Sequence, residues 1–461
     1  MLKPFIYRSL CLLDRWQGFM HTRPTALGRL VMGFTLAAGV FGVDTRMNLL
    51  HQAFALGLGL LLFSSLSALL MQRRLRLRLG LQRRLPRYAT LDQPLSYPLL
   101  IRSEQRRWLR GCFIEEQLPD PRPSLAQFRR PDAESASDSA FDRLMGYPRW
   151  RRLHRANRWA DWPEAVPLRG PLEQGQLRLN LCLRPRRRGR LCLSGLVLTR
   201  PDPLGLFRSR VFFPAPASLL VLPRRYPLAP LALPGRRCFQ PGGWGLAAKV
   251  GDSQEFIGLR DYRPGDSPRA IHWPSWARSG KPQVREFQDE YFNRQALLLD
   301  NLSWPGDPRF EASLSVAASL CEAMQGRDSL LDLIFFSAQG EPLTAGRGLA
   351  GSAQLLELLA SVQASETGDL GLLQGQLLAQ RDRLSALVLL LLAWDEPRQA
   401  LVAGLQASGL PLEVLVMAQA QPDPAQDQAR PPPAGLRLHW IRPHHLAEDL
   451  GRLNTATQGR P

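Results

Sequence analysis

Hydrophobic and polar positions follow three rhythms along the chain. Near the start, Leu30 to Val43 (LVMGFTLAAGVFGV) and Leu49 to Met71 (LLHQAFALGLGLLLFSSLSALLM) are nearly unbroken apolar runs, separated by a polar turn at 44–48. The second is long enough to cross a bilayer; the first reaches that length only if Thr25 to Gly28 join it and Arg29 snorkels to the headgroups. From Leu75 to Tyr226 the pattern becomes short apolar runs broken by Pro and Gly, at 95–101, 176–183, 189–198 and 218–222. The run QLRLNLCL at 176–183 alternates strictly, the mark of a half-buried strand. Several such strands with no helical run between them predict a β-sandwich-like region. Residues 120–157, rich in Pro, Arg and Ser, read as a long and partly mobile excursion from it. Beyond residue 291, continuous apolar runs at 295–300, 329–336, 384–393 and 412–417 alternate with helical spacing at 308–325, 351–362 and 397–407. That alternation predicts a C-terminal α/β doubly wound parallel sheet, to which 436–441 can add a last strand.

These rhythms divide the chain into a membrane anchor (1–72, two transmembrane helices at about 25–43 and 49–71) and a β-rich domain (73–226). A Pro/Gly-rich linker (227–250), a charged connector (251–290), the α/β domain (291–418) and a tail (419–461) follow. The formal charge of +19 over 461 residues calls for an acidic partner such as nucleic acid, anionic lipid or acidic protein. Its placement narrows the choice. Only Arg46 lies in the turn between the apolar runs, whereas Arg73, Arg74, Arg76, Arg78, Arg83, Arg84 and Arg87 follow the second. The positive-inside rule then puts both termini and the body on the cytoplasmic side of the membrane. Each of these arginines can gain about 1 kcal/mol from anionic lipid. Trp and Arg interleave at 149–162 (RWRRLHRANRWADW), which could stack on nucleic acid. Packing of a juxtamembrane amphipathic segment accounts for it equally well, so membrane lipid is the expected partner and nucleic acid is not. No small-residue cleavage site follows the basic stretch 1–29, which argues against a cleaved signal peptide. The six scattered cysteines, none in a C-x-x-C pair, read as reduced, buried thiols rather than a zinc site.

The connector 251–290 (GDSQEFIGLRDYRPGDSPRAIHWPSWARSGKPQVREFQDE) follows neither a helical nor a strict two-residue period. Charges alternate there with Phe256, Tyr262, Trp273, Trp276 and Phe287, and Arg263-Pro264-Gly265-Asp266 reads as a tight turn. The expectation is a structured, ion-paired clasp. No G-x-S-x-G, H-E-x-x-H or G-x-x-x-x-G-K-[ST] motif occurs, so no catalytic residue is assigned and the chain reads as a non-enzyme. The alternative is an enzyme acting on envelope precursors, with Glu255, Asp266 and His272 as an acid–base set.

From Gln254 to Glu290 the sequence resembles the signature of the domain-of-unknown-function-58 family, E-F-x-x-L-R-x-Y-x-x-G-D-x-x-R-x-I-[DH]-W followed by A-R and V-R-E-[FY]. The matching positions are Glu255, Phe256, Leu259, Arg260, Tyr262, Gly265, Asp266, Arg269, Ile271, His272, Trp273, Ala277, Arg278, Val284, Arg285, Glu286 and Phe287. Upstream PRRRGR and DPLGLF elements resemble the same family's β-rich region. The resemblance implies a membrane-anchored protein with a β-sandwich-like region and a von Willebrand factor A-like domain. It further implies an adaptor or assembly factor partnering a MoxR-type AAA+ ATPase and neighbouring, transglutaminase-like membrane proteins. A metal site in a von Willebrand A domain carries D-x-S-x-S after the first strand; here the run is Asp300-Asn301-Leu302-Ser303-Trp304. The first acid is kept, Leu302 and Trp304 replace both serines, and Ser303 falls out of register. Asp395 stands where a later acid would be, and Thr344 and Thr367 are poor candidates for the threonine. Asp300, Ser303 and Asp395 are thus degenerate ligands for a divalent cation such as Mg²⁺, no cofactor is expected, and Asp395 before Glu396-Pro397 reads equally as a helix N-cap.

Overall fold

The computed structural model describes residues 2–41, 48–75, 80–102, 111–130, 139–161, 164–169, 176–228, 256–264, 266, 268, 271–287, 293–324, 329–337, 339–345, 352–418 and 436–458. The chain forms two compact units, Met1–Pro223 and Arg224–Pro461.

The first unit opens with three helices: α1 (Leu2–Thr22), α2 (Ala26–Phe41) and α3 (Asn48–Arg74). α3 is long and apolar enough to cross a membrane, with only 17% of its apolar window buried; α2 is apolar but shorter. Small residues let the two approach closely. A Cβ on Gly57 would lie 2.3 Å from the Thr35 hydroxyl, and one on Gly39 would meet the Phe54 ring at 3.0 Å. The end of α3 enters the body: Ala68 is buried, and Leu75, just past the helix, is fully buried in the β-rich core with Met71 packed against it. The apolar run to Met71 therefore mixes outward-facing helix with core. The polar turn expected at 44–48 lies mostly outside the described residues.

Eight strands follow: β1 (Gly80–Arg83), β2 (Tyr88–Thr90), β3 (Leu95–Arg102), β4 (Phe113–Gln117), β5 (Val166–Pro167), β6 (Gln176–Leu183), β7 (Gly189–Pro201) and β8 (Arg208–Leu222). They make a three-stranded sheet, β1-β3-β6, and a five-stranded sheet, β2-β8-β7-β4-β5. All pairs are antiparallel except β2 with β8. Alternation works as read: Leu177, Leu179, Leu181 and Leu183 of β6 are buried, and the residues between them are not. One polar knot joins the sheets. Arg83 on β1 donates twice to Glu116 on β4, at 2.8 Å each, and the hydroxyl of Tyr97 on β3 donates to the same carboxylate at 2.7 Å. Cys112 is buried, whereas Cys182 and Cys192 are exposed on β6 and β7, contrary to the expectation of uniformly buried thiols.

Two features here add detail that the sequence pattern did not carry. Within 120–157 the described residues include three helices: α4 (Leu125–Arg129), α5 (Ala140–Met145) and α6 (Tyr147–Ala156). Ser124 and Gln127 make a reciprocal capping box that starts α4. Phe128 of α4 and Trp150 of α6 then pack on Leu10 of α1, a helix the basic stretch 1–29 did not announce. The second is the DPLGLF turn. Buried Asp202 accepts from Ser64 Oγ of α3 at 2.7 Å and from the backbone N–H of Leu204 and Phe207 at 3.1 and 2.8 Å. Thr25 N–H donates to Leu206 O at 2.9 Å, and a Cβ on Gly28 would sit 2.0 Å from that oxygen. Only glycine lets α2 lie against this turn.

The second unit holds a hairpin, β9 (Phe256–Asp261) and β10 (Gln283–Phe287), with a short helix α7 (Trp273–Ser279) between them. The connector is therefore strand–helix–strand, where the sequence showed no period: its strands are too short, and too far apart in the chain, for alternation to stand out. The main body follows in the order β11 (Asn293–Leu299), α8 (Pro308–Ala323), β12 (Ser329–Phe336), β13 (Pro342–Ala345), α9 (Ser352–Ser361), α10 (Leu370–Ala379), β14 (Ala386–Leu391), α11 (Glu396–Ala407), β15 (Leu412–Met417), β16 (Arg437–Ile441) and α12 (Leu446–Gln458). The sheet order is β13-β12-β11-β14-β15-β16. Every pair is parallel except β13 with β12, so the sheet is mixed rather than wholly parallel. β14 is buried at every position, as its unbroken apolar run requires. α8 is buried almost end to end, and its serines turn their hydroxyls onto helix carbonyls, Ser313 to Phe310 and Ser319 to Ser315. From β11 the chain winds one way to β12 and the other to β14, which makes the carboxyl ends of β11 and β14 the topological switch point.

Candidate functional site

Asp300 follows β11 at this switch point, and Leu392 to Asp395 follow β14 beside it. Asp300 is 2% exposed, and its carboxylate is fully engaged. Oδ1 accepts from Leu302 N–H at 3.0 Å; Oδ2 accepts from Leu392 N–H at 3.0 Å and from Arg398 Nε at 2.6 Å. Arg398 stands in the first turn of α11, where its second arm donates to Asp395. Asp395 caps α11 by accepting from Arg398 N–H at 3.2 Å, so the N-cap reading holds. Burial works against the Arg398 charge, but Asp300 and Asp395 outweigh it and raise the guanidinium pKa above its ordinary value. One guanidinium thus stands between the two acids that a divalent cation would bridge.

The rest of the loop is similarly committed. Ser303 Oγ donates to Asp307 at 2.6 Å, and Asp307 caps α8 and receives Arg309 Nη2 at 2.9 Å. Burial opposes the Asp307 charge, and the bonds from Arg309 and Ser303 override it to hold the pKa below the usual carboxylate range. Asn301, fully buried, donates to Phe336 O and Gln363 O and accepts from Phe336 N–H, all at 2.8 Å, tying β12 and the 363–369 loop to the end of β11. Leu302 brings no oxygen, Trp304 stands 53% exposed with Arg309 over its ring, Thr344 sits on edge strand β13, and Thr367 lies in an exposed loop. The residues present do not fit a metal ion. They leave instead an open cleft of about 800 Å³, walled by Leu302, Ser303 and Trp304, the loop 365–371, Gln374, and Pro397 to Leu401 of α11. Asp300 and Asp395 meet on Arg398, whereas Ser303 turns to Asp307. Arg398 was not singled out, though its place three residues after Asp395 is a pairing signal.

The connector residues form a second cluster. Arg260 on β9 grips Asp266 with two bonds of 2.7 Å, and Arg263 N–H adds a third at 2.8 Å. The Arg260 bonds, then the Arg263 backbone bond, lower the Asp266 pKa to about 2. Such a carboxylate is ionised at neutral pH and has no proton to give. His272 N–H donates to Gln283 O at 2.8 Å, and its Nδ1 lies 2.8 Å from Ser275 Oγ, which fixes the start of α7. Asp266 and His272 are thus each held by near neighbours, while Glu255 and Gly265 lie outside the described residues. Phe256, Arg285 and Glu286 occupy strand positions, with Arg285 opposite Leu259 and Glu286 opposite Gly258. Trp273 and Trp276 stack at 5.3 Å and 21° and are 61% and 36% exposed; Tyr262 and Arg278 are exposed as well. Among the described residues, no group of three or more His, Cys, Asp and Glu is arranged to hold a metal ion.

Comparison with protein-family models finds no match, and none is found among curated proteins. Among solved structures, the chain is similar to proximal thread matrix protein 1 from the mussel byssus at 12% identity and a TM-score of 0.27. That similarity covers 35% of this chain and about half (47%) of the mussel protein.

Proposed function

We propose that the protein is a membrane-anchored, cytoplasm-facing interaction module whose C-terminal von Willebrand A-like domain docks a protein partner at the switch-point cleft. The observation that carries this reading is the Asp300–Arg398–Asp395 bridge. In a doubly wound sheet the switch-point crevice is where a ligand sits. Here its acids are neutralised from within, its hydroxyl Ser303 is spent on Asp307, and exposed Trp304 stands at its wall. A surface of that kind suits a protein side chain better than an ion or a reacting substrate, because tryptophan in a walled cleft is a strong anchor. The outward-facing apolar α3 supports the anchor, and the arginines after it support the cytoplasmic side.

The resemblance at 254–290 to the domain-of-unknown-function-58 family supplies the partner class: a MoxR-type AAA+ ATPase, with neighbouring membrane proteins as the assemblies acted on. The stacked, exposed Trp273–Trp276 pair, with exposed Arg278 on the same short helix, offers a second contact face for those partners. The test is affinity purification of the full chain from detergent-solubilised membranes of cells that also express a MoxR-type AAA+ ATPase of the same genome. Co-purification weakened by Trp304→Glu supports the reading; absence of the ATPase from the wild-type sample refutes it. Topology is checked separately with a C-terminal reporter active only in the periplasm, which should stay silent.

A further inference from the structure

α1 carries two apolar faces, and the fold uses only one. Its inner face packs Leu10, Tyr7 and Cys11 against Phe128, Trp150 and Leu153, and the Tyr7 hydroxyl donates to Pro123 O at 3.0 Å. On the opposite side Phe5, Leu12, Trp16 and Phe19 are 72%, 64%, 58% and 48% exposed. Their spacing of seven, four and three residues places them on one helical stripe. Because the inner face is fixed to α4 and α6, this stripe cannot turn inward.

Charge and connectivity say what covers it. The single acid of α1, Asp14, faces inward, 3.2 Å from Arg122 and 3.7 Å from His154. Exposed Arg8 and Arg15 flank the stripe on one side, so no negative charge borders it. Three residues, 23–25, join α1 to α2, which limits the end of α1 to within about 14 Å of the start of α2. The first turns of α2 are themselves outwardly apolar, with Leu27 54% and Leu30 67% exposed. An apolar stripe beside cations, next to the mouth of an apolar helix pair, matches a helix lying in the plane of an anionic membrane surface.

We propose that α1 is an interfacial helix, seating Phe5, Leu12, Trp16 and Phe19 in the boundary between headgroups and acyl chains of the bilayer that holds α2 and α3. This rests on the anchor reading. In that position α1 grips lipid with one face and α4 and α6 with the other, fixing the height of the β-rich domain above the membrane.

The test uses the full chain in nanodiscs of phosphatidylglycerol and phosphatidylethanolamine. A fluorescent amino acid is placed in separate variants at Leu12, Trp16, Arg15 and Leu56, the last being an outward residue of α3. Quenching is compared between lipids spin-labelled at the headgroup, lipids spin-labelled deep in the chain, and aqueous iodide. The expected result is several-fold stronger quenching by shallow lipid labels than by iodide at 12 and 16, the reverse at 15, and quenching by deep labels at 56. Leu56 reached by lipid while 12 and 16 are quenched by iodide, or shielded from both as under a protein partner, would overturn the interfacial role alone. Leu56 quenched by iodide would overturn the anchor reading beneath it.

Discussion

Replacing Arg398 by Ala probes the switch-point bridge directly. The side chains of Arg398 and Asp300 are 11% and 1% exposed, so the substitution strands a buried carboxylate. Removing one partner of a buried pair costs about 3–5 kcal/mol. Asp300 keeps its bonds from Leu302 and Leu392 N–H, which places the loss at the low end, about 3 kcal/mol. The arm to Asp395 adds little, because that carboxylate is 44% exposed. For a unit of this size each kcal/mol moves the midpoint by about 2–4 °C, so the C-terminal transition should fall by about 6–12 °C. Near-UV circular dichroism of the full chain in detergent, scanned with temperature, reads this out. Asp300→Asn should recover much of the loss in the Arg398→Ala background, giving a non-additive cycle. Mg²⁺ should restore none of it, since Leu302 and Trp304 add no oxygen ligand. A loss under about 1 kcal/mol, or strict additivity with Asp300→Asn, would refute the bridge as a buried, coupled pair.

Other consequences follow from the same contacts. Asp266, held at about 2, lies below its unfolded value near 3.9, so its contribution to the connector is present above about pH 4 and is lost as pH falls through about 2. Amide exchange across β9 and β10 should accelerate in that window, and Asp266→Asn should abolish the pH dependence. Gly28→Val should loosen α2 from the 202–207 turn, because its Cβ would collide with Leu206 O; protease sensitivity at that turn should rise with the C-terminal transition unchanged. Ser64→Ala should lower the stability of the first unit by about 1–2 kcal/mol by removing a donor from buried Asp202.

What could be read in advance was whatever leaves a local trace. QLRLNLCL, SLLDLIFF and LEVLVM became strands with the expected ends because alternation or an unbroken apolar run is decided by a strand's own faces. α1 escaped notice because its basic residues drew the reading, while the contacts that hold it lie more than a hundred residues away. α4 and α6 are short and pack on α1, a contact across more than a hundred residues of chain. At the candidate site the two acids stood out by position at strand ends. The residue that defines the site's chemistry, Arg398, did not, because its principal partner Asp300 is 98 residues earlier and only the sheet order brings them together. The ion pairing read from charge at 251–290 is present at Arg260–Asp266, while the strands there were hidden by the intervening α7.

The proposed role stands or falls on capture of the AAA+ ATPase at the switch-point cleft. The most direct measurement is equilibrium binding of a purified, Mg²⁺·ATP-loaded MoxR-type ATPase from the same genome to the full chain in nanodiscs, wild type against Trp304→Glu. Trp304 is 53% exposed, and its replacement leaves the buried network of Asp300, Asn301 and Asp307 in place. The prediction is saturable binding to the wild type, weakened at least about tenfold by the substitution, as expected for loss of an aromatic anchor. No binding to the wild type, or equal affinity for both proteins, would contradict it.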